Sequence, residues 1–177
     1  SSDLLRAIPF ILASLIADPA AATEIQEVTS PSGIKAWLVE DHSIPFTALN
    51  LAFRGGASLD APGKRGAINL MTHTLEEGAG EMDATAFAAA TEDLGARITF
   101  DVSDDALVVS SQLLTENRDQ AAALIGAALS DPLFAEDAVA RVKGQVMSLV
   151  RSEENDPNAI ARTALAKSIW GAHPYGS

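Results

Sequence analysis

The apolar residues of this chain recur with two periods, and the order in which those periods alternate limits the folds open to it. Residues 24–29 and 34–39 flank Pro31-Ser32-Gly33, a turn signal, and together read as a hairpin. Phe46 to Phe53 (FTALNLAF) alternates apolar residues with small or polar ones, the period of two that a half-buried strand needs. Gly55, Gly56, Pro62 and Gly63 then make a loop. From Arg65 to Glu77 the period lengthens: Ile68, Met71 and Leu75 recur at helical spacing, and Gly78 suits the exit. Asp83 is placed to cap a second helix, in which Phe87, Ala90 and Leu94 share a face before Gly95 ends it. Period two returns in Arg97 to Val102 and in Ala106 to Leu113, with Asp104-Asp105 as the turn between them. The Val- and Leu-rich second strand is expected to be central.

The last third is helical. Thr115 is a candidate cap for a helix to about Ser130, with Ala121, Leu124, Ile125 and Ala128 facing in. Val139, Val142, Val146 and Leu149 or Val150 step by three or four along another, and Pro157 opens a final helix to about Trp170. Strands, two helices, two strands and three helices, with hairpin-paired strands, predict the α+β class: a mainly antiparallel sheet with helices packed on one face.

Composition narrows function mostly by exclusion. With 12 Lys and Arg against 24 Asp and Glu, the formal net charge is -12, which argues against nucleic-acid binding, since that needs a basic patch or stripe. There is no cysteine, so disulfides and thiolate metal sites are excluded. Arg6, the apolar run Ala7 to Ala17 and the small residues Ala20 to Ala22 have the layout of a secretory signal peptide. Residues 1–23 are therefore expected to be a signal peptide or its remnant, and the protein to be periplasmic or secreted. A buried or amphipathic N-terminal helix is the competing reading. The run is too short to span a bilayer, and no membrane span is expected in the mature chain.

Phe53 to Gly80 reads FRGGASLDAPGKRGAINLMTHTLEEGAG. This stretch resembles the region around the zinc helix of the insulinase/pitrilysin metallopeptidases, the inverzincins, in which a helix that begins with Gly carries H-x-x-E-H and ends at Gly. Gly66 and Gly78 match those glycines. Phe87 to Gly95 (FAAATEDLG), Pro132-Leu133-Phe134, Asn155-Asp156-Pro157 and His173-Pro174-Tyr175-Gly176 resemble later landmarks, in the right order and spacing. The resemblance covers residues 24–177 and implies an N-terminal insulinase/pitrilysin-like half-domain, incomplete at its C-terminus.

In active members, two His at i and i+4 grip Zn²⁺, a Glu beside the second activates water, and a Glu on a later helix is the third ligand. Registered on Gly66 and Gly78, the motif positions here are Asn69, Thr72 and His73, and counting back from Pro157 puts the third ligand at Ser148 or Leu149. Neutral Asn is a poor zinc donor, and Thr cannot act as a base near neutral pH. No metal, no cofactor and no catalytic residue are therefore expected.

The remaining polar clusters have ordinary readings. A single His on a helix is usually structural, and Glu76-Glu77 reads as a solvated helix end, although Glu76 could share a weak metal site with His73. His42 beside Asp41 and His173 in a terminal loop receive no catalytic role. Asp101, Asp104 and Asp105 lack the Gly and terminal Glu of an EF-hand loop and read as a solvated turn.

The wording LAFRGGASLDAPGKRG followed by TLEEGAG resembles the zinc-free partner of bacterial two-chain members. That resemblance implies a noncatalytic subunit, not an enzyme by itself, which pairs with a homologous zinc-bearing peptidase subunit and helps enclose peptide substrate. The alternatives are a divergent metal-dependent hydrolase with a relocated site using His73 and Glu76, and a structural interaction protein of the same fold. In active relatives the strand after the Leu-Gly exit pairs with the substrate backbone. Here that segment is Arg97 to Val102, with Thr99 and Phe100 at its centre as candidate substrate-binding residues.

Overall fold

A computed structural model describes residues 24–176, so the signal-like run at 1–23 lies outside the described residues. Between Ile44 and Pro45 the described residues divide into two compact units. In the first, β1 (Ile25–Thr29) and β2 (Lys35–Val39) form the expected antiparallel hairpin, with Ile25 opposite Val39 and Thr29 opposite Lys35. Gly33 supplies the positive φ of 87° that the tight connection requires.

The second unit holds a three-stranded antiparallel sheet in the order β3–β7–β6, made of β3 (Phe46–Arg54), β6 (Arg97–Val102) and β7 (Ala106–Leu114). A two-residue hairpin, β4 (Gly78–Ala79) with β5 (Met82–Asp83), lies between its helices and has no counterpart in the sequence expectations. The helices are α1 (Ala67–Thr74), α2 (Ala84–Asp93), α3 (Arg118–Ser130), α4 (Glu136–Glu153) and α5 (Pro157–Trp170). The α+β expectation holds: every strand pair is antiparallel, and β7 is central.

Alternation explains where the core sits. On β7, Leu107, Val109, Ser111 and Leu113 are buried, and on β6 so are Ile98 and Phe100. Leu75, Phe87, Leu124, Ile125 and Ala128 cover this face from the helical side. Burying each large apolar side chain contributes about 1.5–3 kcal/mol, so this single layer supplies most of the driving force for the second unit.

Three local expectations change. Helix α1 is shorter than 65–77, and its buried face carries Thr72, Thr74 and Leu75, while Met71 is partly exposed. Thr115 does not cap α3; it begins a short 3-10 turn (Thr115–Asn117), and its hydroxyl bonds that of Thr47 at 3.2 Å. On α4 the inward stripe fades, with Val142 buried but Leu149 and Val150 exposed. By contrast, Asp83 caps α2 by accepting from Ala86 N at 2.8 Å, and Pro157 opens α5, both as expected, with Asp156 as the cap of α5.

Candidate functional site

The degenerate motif lies on α1, and the loop before that helix fixes its start. Gly66 adopts a φ of 86°, and the Asp60 carboxylate accepts from Gly66 N at 2.6 Å and from Ile68 N at 2.9 Å. Asp60 thus does the work of a helix cap from six residues upstream of Gly66, a role the sequence expectations missed. At the other end, Gly78 has a φ of 124°, and a Cβ there would meet Met82 O at 2.5 Å. The turn after it is held by Gly80 N donating to Asp131 O at 2.8 Å and Leu133 N donating to Gly78 O at 3.1 Å. The Gly-Ala-Gly exit and the Pro132-Leu133-Phe134 landmark therefore meet in space.

Along α1, Asn69 is half-buried, Thr72 fully buried and His73 exposed. Thr72 Oγ1 donates to Ile68 O at 2.9 Å, so its hydroxyl is satisfied within its own helix. His73 Nδ1 lies 2.8 Å from Asn69 O. A carbonyl only accepts, so Nδ1 carries the proton in that contact, and Nε2 is the ring nitrogen not engaged by it. Among the described residues no three His, Asp or Glu side chains gather as metal ligands. The third-ligand positions, Ser148 and Leu149, lie on α4, and both are exposed. One imidazole, a neutral amide, an inward-turned hydroxyl and an aliphatic side chain do not fit a catalytic zinc ion.

The acidic pair after α1 has two separate tasks. Glu77 receives a bidentate ion pair from Arg141 of α4, with Nη1 at 2.9 Å from Oε1. Glu76 turns to β6 and accepts from Phe100 N at 3.4 Å. Partial burial pushes the Glu76 carboxyl above its usual range; the Phe100 N–H and the nearby His73 pull it down, while Asp101 and Glu77 add to the rise.

Thr99 and Phe100 sit on opposite sides of the sheet. Phe100 is 3% exposed and packs under the helices, so it offers the outer edge only its backbone. Thr99 faces away from the helices, where it lines a shallow hollow of about 360 Å³ with Arg97, Ser110 and Gln112. β6 is an edge strand, paired with β7 alone among the described residues.

The remaining candidates have partners of their own. Asp105 accepts from Tyr175 Oη in a short contact that raises the tyrosine pKa, and Arg65 Nη1 donates to Pro174 O at 3.3 Å. His173 lies tilted against Trp170 and edge-on to Tyr175, and the Tyr175–Asp105 bond ties the His-Pro-Tyr-Gly landmark to the β6–β7 turn. His42 lies near Glu40, and the pKa of neighbouring Asp41 is lowered first by the Ser43 hydroxyl and then by Ser43 N, which donates to it at 2.9 Å. No helix among the described residues is long and apolar enough to cross a membrane.

Residues 35–177 match the family described as Insulinase (Peptidase family M16). A protein named non-peptidase homolog YmxG, from Helicobacter pylori (strain ATCC 700392 / 26695), is 29% identical over 138 residues, covering 78% of this chain and 32% of that protein. An uncharacterized zinc protease of Rickettsia bellii (strain RML369-C) is 22% identical over 129 residues, covering 73% of this chain and 31% of that protein. The crystal structure of a peptidase M16 inactive domain from Pseudomonas fluorescens superposes with a TM-score of 0.80 at 30% identity, over 86% of this chain and 37% of that one. A protease from Helicobacter pylori superposes with a TM-score of 0.75 at 17% identity, over 88% of this chain and 38% of that one, a likeness of fold alone. The chain spans about a third of the length of the curated relatives it matches.

Proposed function

The chain belongs to the insulinase family of peptidases, family M16, and from that premise we propose that it is a noncatalytic subunit. In this reading it pairs with a homologous zinc-bearing chain, helps enclose an extended peptide and cleaves nothing by itself. The supporting observation is the donor count on α1. The three histidines of the sequence, His42, His73 and His173, include no pair four residues apart, so H-x-x-E-H cannot be assembled from these residues. Thr72, at the base position, is buried and bonded to its own helix. The names of the Helicobacter pylori homolog and the Pseudomonas fluorescens domain, non-peptidase and inactive, agree with a family branch that has given up hydrolysis.

An inactive half is useful when it completes an enclosure for an active one. Peptide contact in this reading is main-chain pairing along the outer edge of β6, with Phe100 contributing its backbone and Thr99 lying on the adjoining face. The test is co-expression with a homologous chain that carries intact H-x-x-E-H, followed by size-exclusion chromatography and a peptide-cleavage assay. Co-elution with raised cleavage is expected. Separate elution at micromolar concentration, with the active chain's rate unchanged, would refute the pairing.

A further inference from the structure

Building on the reading of β6 as a peptide-docking edge, we propose that Glu76 is a removable cap on that edge, its carboxylate holding the backbone donor to which an incoming strand would bond. Strand addition requires outward N–H and C=O groups, and an uncovered edge invites unwanted pairing, so native sheets guard theirs. Ser103 N donates to Ala106 O at 2.9 Å and continues the β6–β7 ladder. The alternation of an antiparallel ladder then turns the backbones of Arg97, Thr99 and Asp101 toward β7, and those of Ile98, Phe100 and Val102 outward.

Phe100 is the middle of those three, and its N–H is the one Glu76 Oε1 accepts. At 3.4 Å the bond is long for N–H···O, which suits a contact that must be given up. Two of the three bury their side chains, Ile98 at 8% and Phe100 at 3% exposure, so at the centre of the edge a docked peptide would meet main-chain groups. Displacing one carboxylate from Phe100 N therefore opens the centre of the edge.

The neighbouring elements keep Glu76 in place without bonding its carboxylate firmly elsewhere. Its predecessor helix α1 packs on β6, which brings the residue to the strand. Glu77, next in sequence, is held by Arg141 of α4 and fixes the chain at that point. The charged groups acting on Glu76 are His73 from α1, Glu77, and Asp101 from β6.

Two variants of the full chain test this. Glu76→Met keeps the aliphatic stem and removes the acceptor, whereas Glu76→Gln keeps a neutral acceptor oxygen. The readouts are amide hydrogen exchange at Phe100, with Val109 as the core control, and fluorescence anisotropy of a labelled, acetylated and amidated (Thr-Val)₃ hexapeptide. In Glu76→Met, exchange at Phe100 should quicken by about tenfold while Val109 stays protected. The hexapeptide should bind that variant about tenfold more tightly than the parent chain, and Glu76→Gln should return both readouts toward parental values. Unchanged Phe100 exchange in Glu76→Met, with Val109 still protected, would overturn the cap. Faster exchange with equal anisotropy for parent and variant would overturn the gate by a different route, because the docking reading of β6 would then have failed while the Glu76 contact itself was real.

Discussion

Thr72 and Glu76 illustrate how single side chains decide what α1 does. At Thr72 a short polar group is buried completely, which is tolerated because its hydroxyl bonds Ile68 O one turn back. A carboxylate at that position would lose its water and face the core formed by Leu75, Phe100 and their neighbours. Thr72→Glu is therefore expected to cost about 3–5 kcal/mol, as burying an unpaired charge does. Thr72→Val should stay within about 1 kcal/mol, because the lost hydrogen bond is local and the shape is kept. Urea unfolding of both variants checks this, and a Glu variant as stable as the parent would show that the side chain reaches solvent. Glu76 makes a claim about pH. Its pKa lies above its ordinary 4.5, so the folded state holds the proton more tightly than the unfolded state does. The contribution of the protonated group is fully present below 4.5 and is lost as pH rises through the raised folded value. Relative to Glu76→Gln, the parent chain should lose stability across that window. A stability difference that is flat with pH would refute the assignment.

At the scale of elements, what could be read in the sequence depends on how far each anchoring bond reaches. Asp83 and Asp156-Pro157 hold helix starts through bonds to residues two or three positions on, and both starts were legible. Asp60 acts across a loop containing Pro62 and Gly63, and Thr115 bonds Thr47 across the sheet. Neither partner is marked by local spacing, so the cap of α1 went unseen and a cap was expected where tertiary bonding took the hydroxyl. Ile68, Met71 and Leu75 define an apolar stripe, but in a helix of eight residues the neighbouring elements set the rotation, and they bury Thr72 and Thr74. The resemblance located the candidate positions Asn69, Thr72 and His73; periodicity could not reveal that Glu76 serves β6, because that bond spans 24 residues. Asp60→Ala should lower stability by about 1–2 kcal/mol, whereas Asp60→Asn, which keeps an acceptor, should lose less. Equal losses for the two variants would mean that the carboxylate charge, not the capping geometry, is what matters.

For the whole molecule, the consequence is that this chain of 177 residues should bind no catalytic zinc and cleave no peptide when alone. Catalytic zinc takes three protein ligands and a water, and its helix supplies two of them one turn apart. Here one turn apart on α1 stand Asn69 and His73, and the Nδ1 of His73 is engaged by Asn69 O, leaving a single nitrogen. Glu76 is the nearest candidate for a relocated donor, but its carboxylate faces Phe100 N on β6. Across the helix pair, α4 meets the exit of α1 through Arg141 and Glu77, and Leu149 lies about 12 Å further along α4, eight residues at 1.5 Å each. Its aliphatic side chain is 66% exposed and offers a metal nothing. Even a metal caught by His73 would lack a base, since Thr72 cannot take a proton near neutral pH and is turned into the core. Metal analysis after dialysis, run beside a peptide-cleavage assay, decides the matter. Substoichiometric zinc that His73→Ala leaves unchanged, with no cleavage, is the expected result. Stoichiometric zinc with cleavage abolished by His73→Ala would instead establish a relocated catalytic site, and the subunit reading would give way to a hydrolase built around that residue.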